Sequence, residues 1–171
     1  MIRLVQSAAV VVAMGLASTV LAADCDVCPK DAGLDPAARE IAEARAQIDE
    51  LIMAYGEHLT SGDVDGILEL YGSDPVFMPE FASPAVGRVA VRNAYAAVLA
   101  ALRLNGRFTV HEMEIAGDWA WVRTSASGRV TAVTTGVESE IESSELFVLK
   151  REDGAWRIHR YIFNSAAPPP Q

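Results

Sequence analysis

The sequence predicts an α+β domain in which helices come first, an antiparallel meander follows, and the helices cover one face of a curved sheet. Three observations carry this. Apolar residues recur at helical spacing as far as Arg103. From Gly106 onward the period becomes that of strands. Gly117-Asp118 and Asp153-Gly154 then punctuate the second half as turns, the latter a strong two-residue hairpin signal. With 171 residues the chain is long enough for one domain with a real core and too short for two ordinary ones.

Residues 1 to 22 read as a secretory signal peptide. Arg3 supplies the positive start, Ala8 to Leu16 the apolar run, and Val20-Leu21-Ala22 the small residues for cleavage, expected after Ala22. The segment is short for a membrane helix and no basic stop-transfer cluster follows it. The mature protein is therefore expected in the periplasm or outside the cell, with no membrane association once cleaved. Loss of Arg3 takes the formal net charge from −9 to −10. An acidic surface repels phosphate backbones, which argues against a nucleic-acid partner.

Residues 23 to 35 form a leader rich in Asp, Gly and Pro that carries Cys25 and Cys28. A redox motif would need a preceding strand, a structural zinc site two further ligands, and a lipidated Cys25 a small residue where Asp24 stands. A local disulfide in an oxidising compartment needs nothing more and is the favoured reading. Asp35 can cap the first helix and Pro36 fits its first position, with Ile41, Ile48, Leu51, Ile52, Tyr55 and Leu59 as its apolar stripe. Ser61-Gly62 ends it, and Asp63 caps a shorter helix carrying Val64, Ile67, Leu68 and Tyr71 on one face. Asp74-Pro75 is expected to break that helix before a short strand, Val76 to Met78. Gly87 to Arg103 reads as a third helix with Val91, Tyr95, Val98, Leu99 and Leu102 inward. Four strands complete the domain, at 107–115, 119–133, 139–151 and 155–164, with a loop near Thr135-Gly136. The domain is bounded at 36–164, and the tail 165–171, ending in three prolines, is expected to be disordered.

Much chemistry is missing. No glycine-rich nucleotide fingerprint follows a strand, no G-x-S-x-G elbow occurs, and no histidine pair has metal-ligand spacing. No cofactor and no metal are expected, so any chemistry comes from a few polar groups in an apolar pocket.

Four segments in this order resemble one superfamily: SGDVDGILELY (61–71), residues 78–95 with their MPE and VGRVAVRNAY, GDWAWVRTS (117–125), and ELFVLKREDGAWRIHRYIFN (145–164). Together they make residues 40 to 164 similar to the cone-shaped, cystatin-like α+β fold shared by nuclear transport factor two, ketosteroid isomerase and the SnoaL-like polyketide cyclases. Within it the resemblance is to the SgcJ/EcaC family.

The resemblance to ketosteroid isomerase implies roles for individual residues. Tyr55 stands where that family has its oxyanion-hole tyrosine, eight residues before Asp63. Glu145, two before Phe147, stands where it has a second, protonated carboxylic donor, which burial can keep neutral. Met78 before Pro79 stands where it has the general-base aspartate, and a thioether takes no proton. Glu80 could substitute as base, though a solvent-exposed loop glutamate is the likelier lot of a charged residue in such a place. Tyr55 reads equally as a core tyrosine, and Glu145 as the partner of a buried Arg123 or Arg160. His159 is a candidate second base at the cone's mouth, whereas His111 reads as facing water and His58 as capping its helix or facing solvent. Met78, Phe81, Tyr95, Trp121 and Phe147 are the expected pocket wall. Trp119 and Trp121 share one strand face, suited to a pocket wall and to a dimer interface alike.

Three functions fit these residues. One is a cofactor-free isomerase, cyclase, dehydratase or hydrolase acting on a hydrophobic small molecule, with Tyr55 and Glu145 stabilising an oxyanion and Glu80 or His159 as base. Another is a binder that has kept its cone and lost its base. The alternative is an oligomerisation module like the association domain of calmodulin-dependent kinase, which has a similar F-x-P-E stretch (Phe77 to Glu80 here). A homodimer or larger oligomer formed through the sheet is expected.

Overall fold

The capped helix start is present as expected. The Asp35 carboxylate accepts hydrogen bonds from the amides of Ala37 and Ala38 at 2.8 and 3.0 Å, and Pro36 opens helix α1 (Pro36–Ser61). The computed structural model describes residues 35–166. Residues 1 to 22, read above as a signal peptide, Cys25 and Cys28 of the leader, and residues 167–171 of the tail lie outside the described residues. Among the described residues no helix is long and apolar enough to cross a membrane.

Ala44, Ile48, Leu51, Ile52 and Tyr55 form the buried stripe of α1, while Ile41, expected on it, is 51% exposed. Among the described residues none before Ala44 is buried. Gly62 stops the helix in the left-handed conformation (φ 76°), and Asp63 starts α2 (Val64–Leu70) by accepting from the Gly66 amide. His58 pairs with Asp63 at 3.0 Å, so it caps neither helix. That contact sits directly on Gly66, where an added Cβ would lie 2.2 Å from the His58 ring.

Strand β1 (Tyr71–Met78) follows α2 with no loop, and this corrects the sequence reading on two counts. Tyr71 is a strand residue, and Asp74-Pro75 lies inside the strand, where the pairing with its neighbour is irregular between Tyr71 and Val76. Pro75 is tolerated at that irregularity. The switch from helix to strand is held by Arg88, whose guanidinium donates to the carbonyls of Leu68, Tyr71 and Gly72.

After the two-residue strand β2 (Ala85–Val86), helix α3 runs Arg88–Ala101 and passes directly into β3 (Leu102–Ala116). Leu102 and Arg103 therefore belong to a strand, not to the end of the helix. β4 (Trp119–Ala132), β5 (Glu138–Glu152) and β6 (Ala155–Ser165) follow within a few residues of expectation. The Asp153-Gly154 hairpin has both residues at positive φ, 51° and 81°, as a tight turn between twisted strands requires.

The six strands form one sheet in the order β2-β1-β6-β5-β4-β3. The meander β3 to β6 is antiparallel, but β1 joins it parallel to β6, with Phe77 beside Tyr161. Ala120, Val122, Thr124, Phe147, Leu149 and Ile158 on the inner face are buried beneath the helices, which makes the core. Gly106 faces Gly128 across β3 and β4, and a Cβ on Gly128 would lie 2.2 Å from the Asn105 carbonyl oxygen. The two strands approach there more closely than side chains allow.

Candidate functional site

Between α1, α3 and the inner face of the sheet lies a cavity of about 800 Å³. Its walls are apolar and aromatic: Leu59, Val98, Leu102, Leu104 and Phe108 on one side, Phe77, Tyr161 and Phe163 on the other. Such a volume suits a drug-sized molecule.

The inner end carries the polar groups. Helix α1 brings Tyr55, α3 brings Tyr95, and β1 brings Tyr71, all nearly inaccessible to solvent. The Tyr95 hydroxyl stands 2.8 Å from that of Tyr55 and 2.8 Å from that of Tyr71. Three hydroxyls carry three protons, and the two bonds of the chain use two of them. One proton is left over, and Tyr55 and Tyr95 both line the cavity, as does Tyr161, a fourth hydroxyl that interacts with Tyr55, so the network can present that proton to an acceptor there. Burial pushes the hydroxyls of Tyr55, Tyr95, Tyr71 and Tyr161 well above the usual phenol range, so all four are neutral donors.

Glu145 enters from β5 and is 4% exposed. Its two oxygens accept from Thr124 Oγ1 at 2.6 Å and Ser143 Oγ at 2.5 Å. Burial raises its pKa above the ordinary glutamate range, while these two hydroxyls oppose the shift. The charge on Glu145 in turn helps to raise the pKa of Tyr161, which places the two side chains in one electrostatic environment. Neither arginine foreseen as its partner is there. Arg123 pairs with Glu112 and Arg160 with Asp74.

Stacked rings hold this end rigid. Phe77 lies parallel to Tyr95 at 4.6 Å and to Tyr161 at 5.6 Å, and Tyr161 stacks on Phe147 at 4.3 Å. Phe147, expected in the pocket wall, is wholly buried behind these rings and supports the wall instead.

The outer end is the mouth. Glu80 and Phe81 line it from the loop after β1, and Ser165 and Ala166 from the end of β6. Ser165 Oγ donates to Glu80, and the Ala166 amide donates to the Glu142 carbonyl. The last two described residues are thus part of the site, although the sequence assigns them to the tail. Phe81 is 94% exposed and sits at φ 59°, unusual for a bulky side chain.

Of the expected site residues, Tyr55, Tyr95, Glu145, Glu80 and Phe81 line the one cavity. Met78, Trp121 and His159 do not. At the end of β1 the inward ring is Phe77, so Met78 belongs to the other side of the strand, beside Ile162, itself 42% exposed. Trp121 lies on the outer sheet face because Ala120 and Val122 take the inner one. His159 follows a register shift in β6 and meets Trp119 edge-on at 4.9 Å on that outer face. Its pKa is lowered, first by burial and then by Arg160. It cannot serve a ligand in the cavity.

Residues 52–159 match the SnoaL-like domain family model. Among solved structures, the chain is similar to a ketosteroid isomerase-like protein from Erwinia carotovora atroseptica, with 27% identity, a TM-score of 0.69, and coverage of 72% of this chain and 96% of that one. It is similar in fold to an NTF2-like protein with a cystatin-like fold from Novosphingobium aromaticivorans (23% identity, TM-score 0.60, 76% and 86% covered). It is also similar in fold to a candidate NTF2-like dehydratase from Streptomyces avermitilis (16% identity, TM-score 0.63, 72% and 97% covered). No curated protein matches it.

Proposed function

Since the chain belongs to the SnoaL-like domain family, we propose that its cone binds a hydrophobic small molecule and orients it by an oxygen acceptor at the inner end. The observation that carries this is the cluster of neutral hydroxyls and one buried carboxyl group at the end of an otherwise apolar cavity. With the tyrosine chain running from Tyr71 through Tyr95 to Tyr55, a carbonyl oxygen placed there would receive a proton from Tyr55, and a second from Glu145 when that group is protonated. Negative charge developing on that oxygen would be stabilised by groups that need not reorganise.

The chemistry such a site suits is cofactor-free isomerisation, cyclisation, dehydration or hydrolysis. Glu80 is the carboxylate at the mouth positioned to move a proton, since Met78 neither lines the cavity nor takes one. The similar structures described as isomerase-like and as a candidate dehydratase agree with this class. Within the family we assign the chain to the SgcJ/EcaC branch, on the four sequence segments at 61–71, 78–95, 117–125 and 145–164.

Two further proposals concern its setting. The protein is exported, on the strength of residues 1 to 22. Two copies associate through the outer sheet face, where Trp119 and Trp121 remain 43% and 39% exposed and Leu146 and Ile162 lie beside them. The same face favours the second reading, an oligomerisation module whose cone is filler.

The test compares 2-acetylnaphthalene with 2-ethylnaphthalene by calorimetric titration. Tyr55→Phe is expected to weaken the ketone about tenfold, the worth of one good hydrogen bond, and to leave the hydrocarbon unchanged. Equal effects on both ligands, or binding of neither, would sink the reading.

A further inference from the structure

The charges around the cavity are of one sign. Four of its lining residues are carboxylic, namely Glu80, Glu140, Glu142 and Glu145, and among the described residues no lysine, arginine or histidine lines it. The chain as a whole is acidic as well, with a formal net charge of −9. An anionic ligand would meet no counter-charge here and would be repelled on approach.

The rings point the same way. Phe81 stands at the mouth beside Glu80, with Phe163 and Phe77 further in. Aromatic faces carry negative electrostatic potential, and a ring beside a carboxylate is how proteins hold an ammonium group. Glu80 accepts one hydrogen bond from Ser165, which leaves most of its acceptor capacity free. Burial differs sharply between the two ends. Glu145 is inaccessible and shifted towards its neutral form, whereas Phe81 is almost fully exposed. A positive charge is therefore favoured at the mouth and an uncharged oxygen at the inner end.

Resting on the binding part of the cavity reading above, with Glu80 as counter-charge instead of base, we infer that the ligand class is amphipathic and cationic: an apolar, ring-containing body with an oxygen function inward and a protonated or quaternary amine at the mouth, held by Glu80 and Phe81. Carboxylic acids, phosphates and acyl thioesters of acidic carriers are selected against by the same groups.

The experiment titrates the full-length protein with three probes that share one ring system and differ in charge: 2-naphthylmethylamine, 2-naphthylmethanol and 2-naphthoate. The amine is expected to bind roughly fivefold more tightly than the alcohol, with the acid weakest. The preference should shrink at high salt, and should shrink in Glu80→Gln and in Phe81→Leu. Glu50→Gln, an exposed carboxylate of α1 away from the cavity, should leave it intact. Binding of the alcohol with no preference for the amine, or an equal loss in Glu50→Gln, would overturn this inference and leave the cavity reading standing. Binding of none of the three would overturn both.

Discussion

Glu145 is held by the Thr124 and Ser143 hydroxyls and the Ala126 backbone, and its burial outweighs them in setting how it answers to pH. Burial raises its folded pKa above that of the unfolded chain. The folded state then binds the proton more tightly, so stability falls as pH climbs from the ordinary glutamate range through the raised value. Glu145→Gln removes that titration while keeping a similar shape. Its melting temperature relative to the parent should rise with pH across this window in a thermal-shift series. A difference independent of pH would mean that Glu145 does not titrate there. The residues of this cluster were unevenly legible beforehand. Tyr55 and Glu145 stand at recognisable spacings, and Tyr95 on an amphipathic helix. Tyr71 was hidden by its place at the end of a helical pattern. Thr124 becomes a partner only once the register of β4 on β5 is known, opposite Glu145, whereas Ser143 lies two residues before Glu145 on the same face of its own strand. Trp121 and Met78 illustrate a different difficulty. Alternation says which residues share a strand face and leaves open which face is packed. Helix packing decides it, and here it turns both residues outward.

At the level of elements, two of the three helices run into strands without a connecting loop, at Leu70-Tyr71 and Ala101-Leu102. Sequence periodicity locates both changes late by a few residues, because a leucine or tyrosine can continue either pattern. The first junction depends on Arg88, which binds three carbonyls left by the end of α2 and the start of β1. Arg88→Leu removes these charge-assisted bonds and keeps much of the aliphatic packing. It should cost about 1–3 kcal/mol in chemical denaturation, since hydrogen bonds to charged groups contribute on that order. A loss no larger than that of a surface substitution would show that water serves those carbonyls as well. The hairpins were easier to see. Asp153-Gly154 needs only its own two residues to adopt their turn, so no distant partner can override it.

For the molecule as a whole, the class and the order of elements were readable because helices and strands are segregated along the chain. The parallel seating of β1 on β6 was not, since nothing local records which strand a distant segment will pair with. Two predictions belong at this scale. If copies associate through the outer sheet face, Trp121→Glu should convert the dimer to monomer in sedimentation at tens of micromolar or so, a range that reveals weak association, with ligand binding unchanged. A wild-type protein that is monomeric there would remove the dimer from the account. If residues 1 to 22 direct export, intact mass of the exported protein should begin at Ala23 or Asp24. A retained leader, or an acylated Cys25, would show otherwise.

The pairing of β1 with β6 also sets an order in time. Phe77 and its neighbour Tyr161 are separated by most of the sheet's own sequence, from the end of β1 to the last strand. Helices and hairpins can form as soon as their own residues exist, but this contact must close a long loop and comes late. Until then the β4-β5 half of the inner wall has no Tyr161 opposite it, and the chain is an open trough with its aromatic lining wet. Completion of the last strand turns the trough into a vessel. A ligand can therefore reward only the finished chain, so adding one to a refolding mixture should slow unfolding and leave the early folding phases untouched.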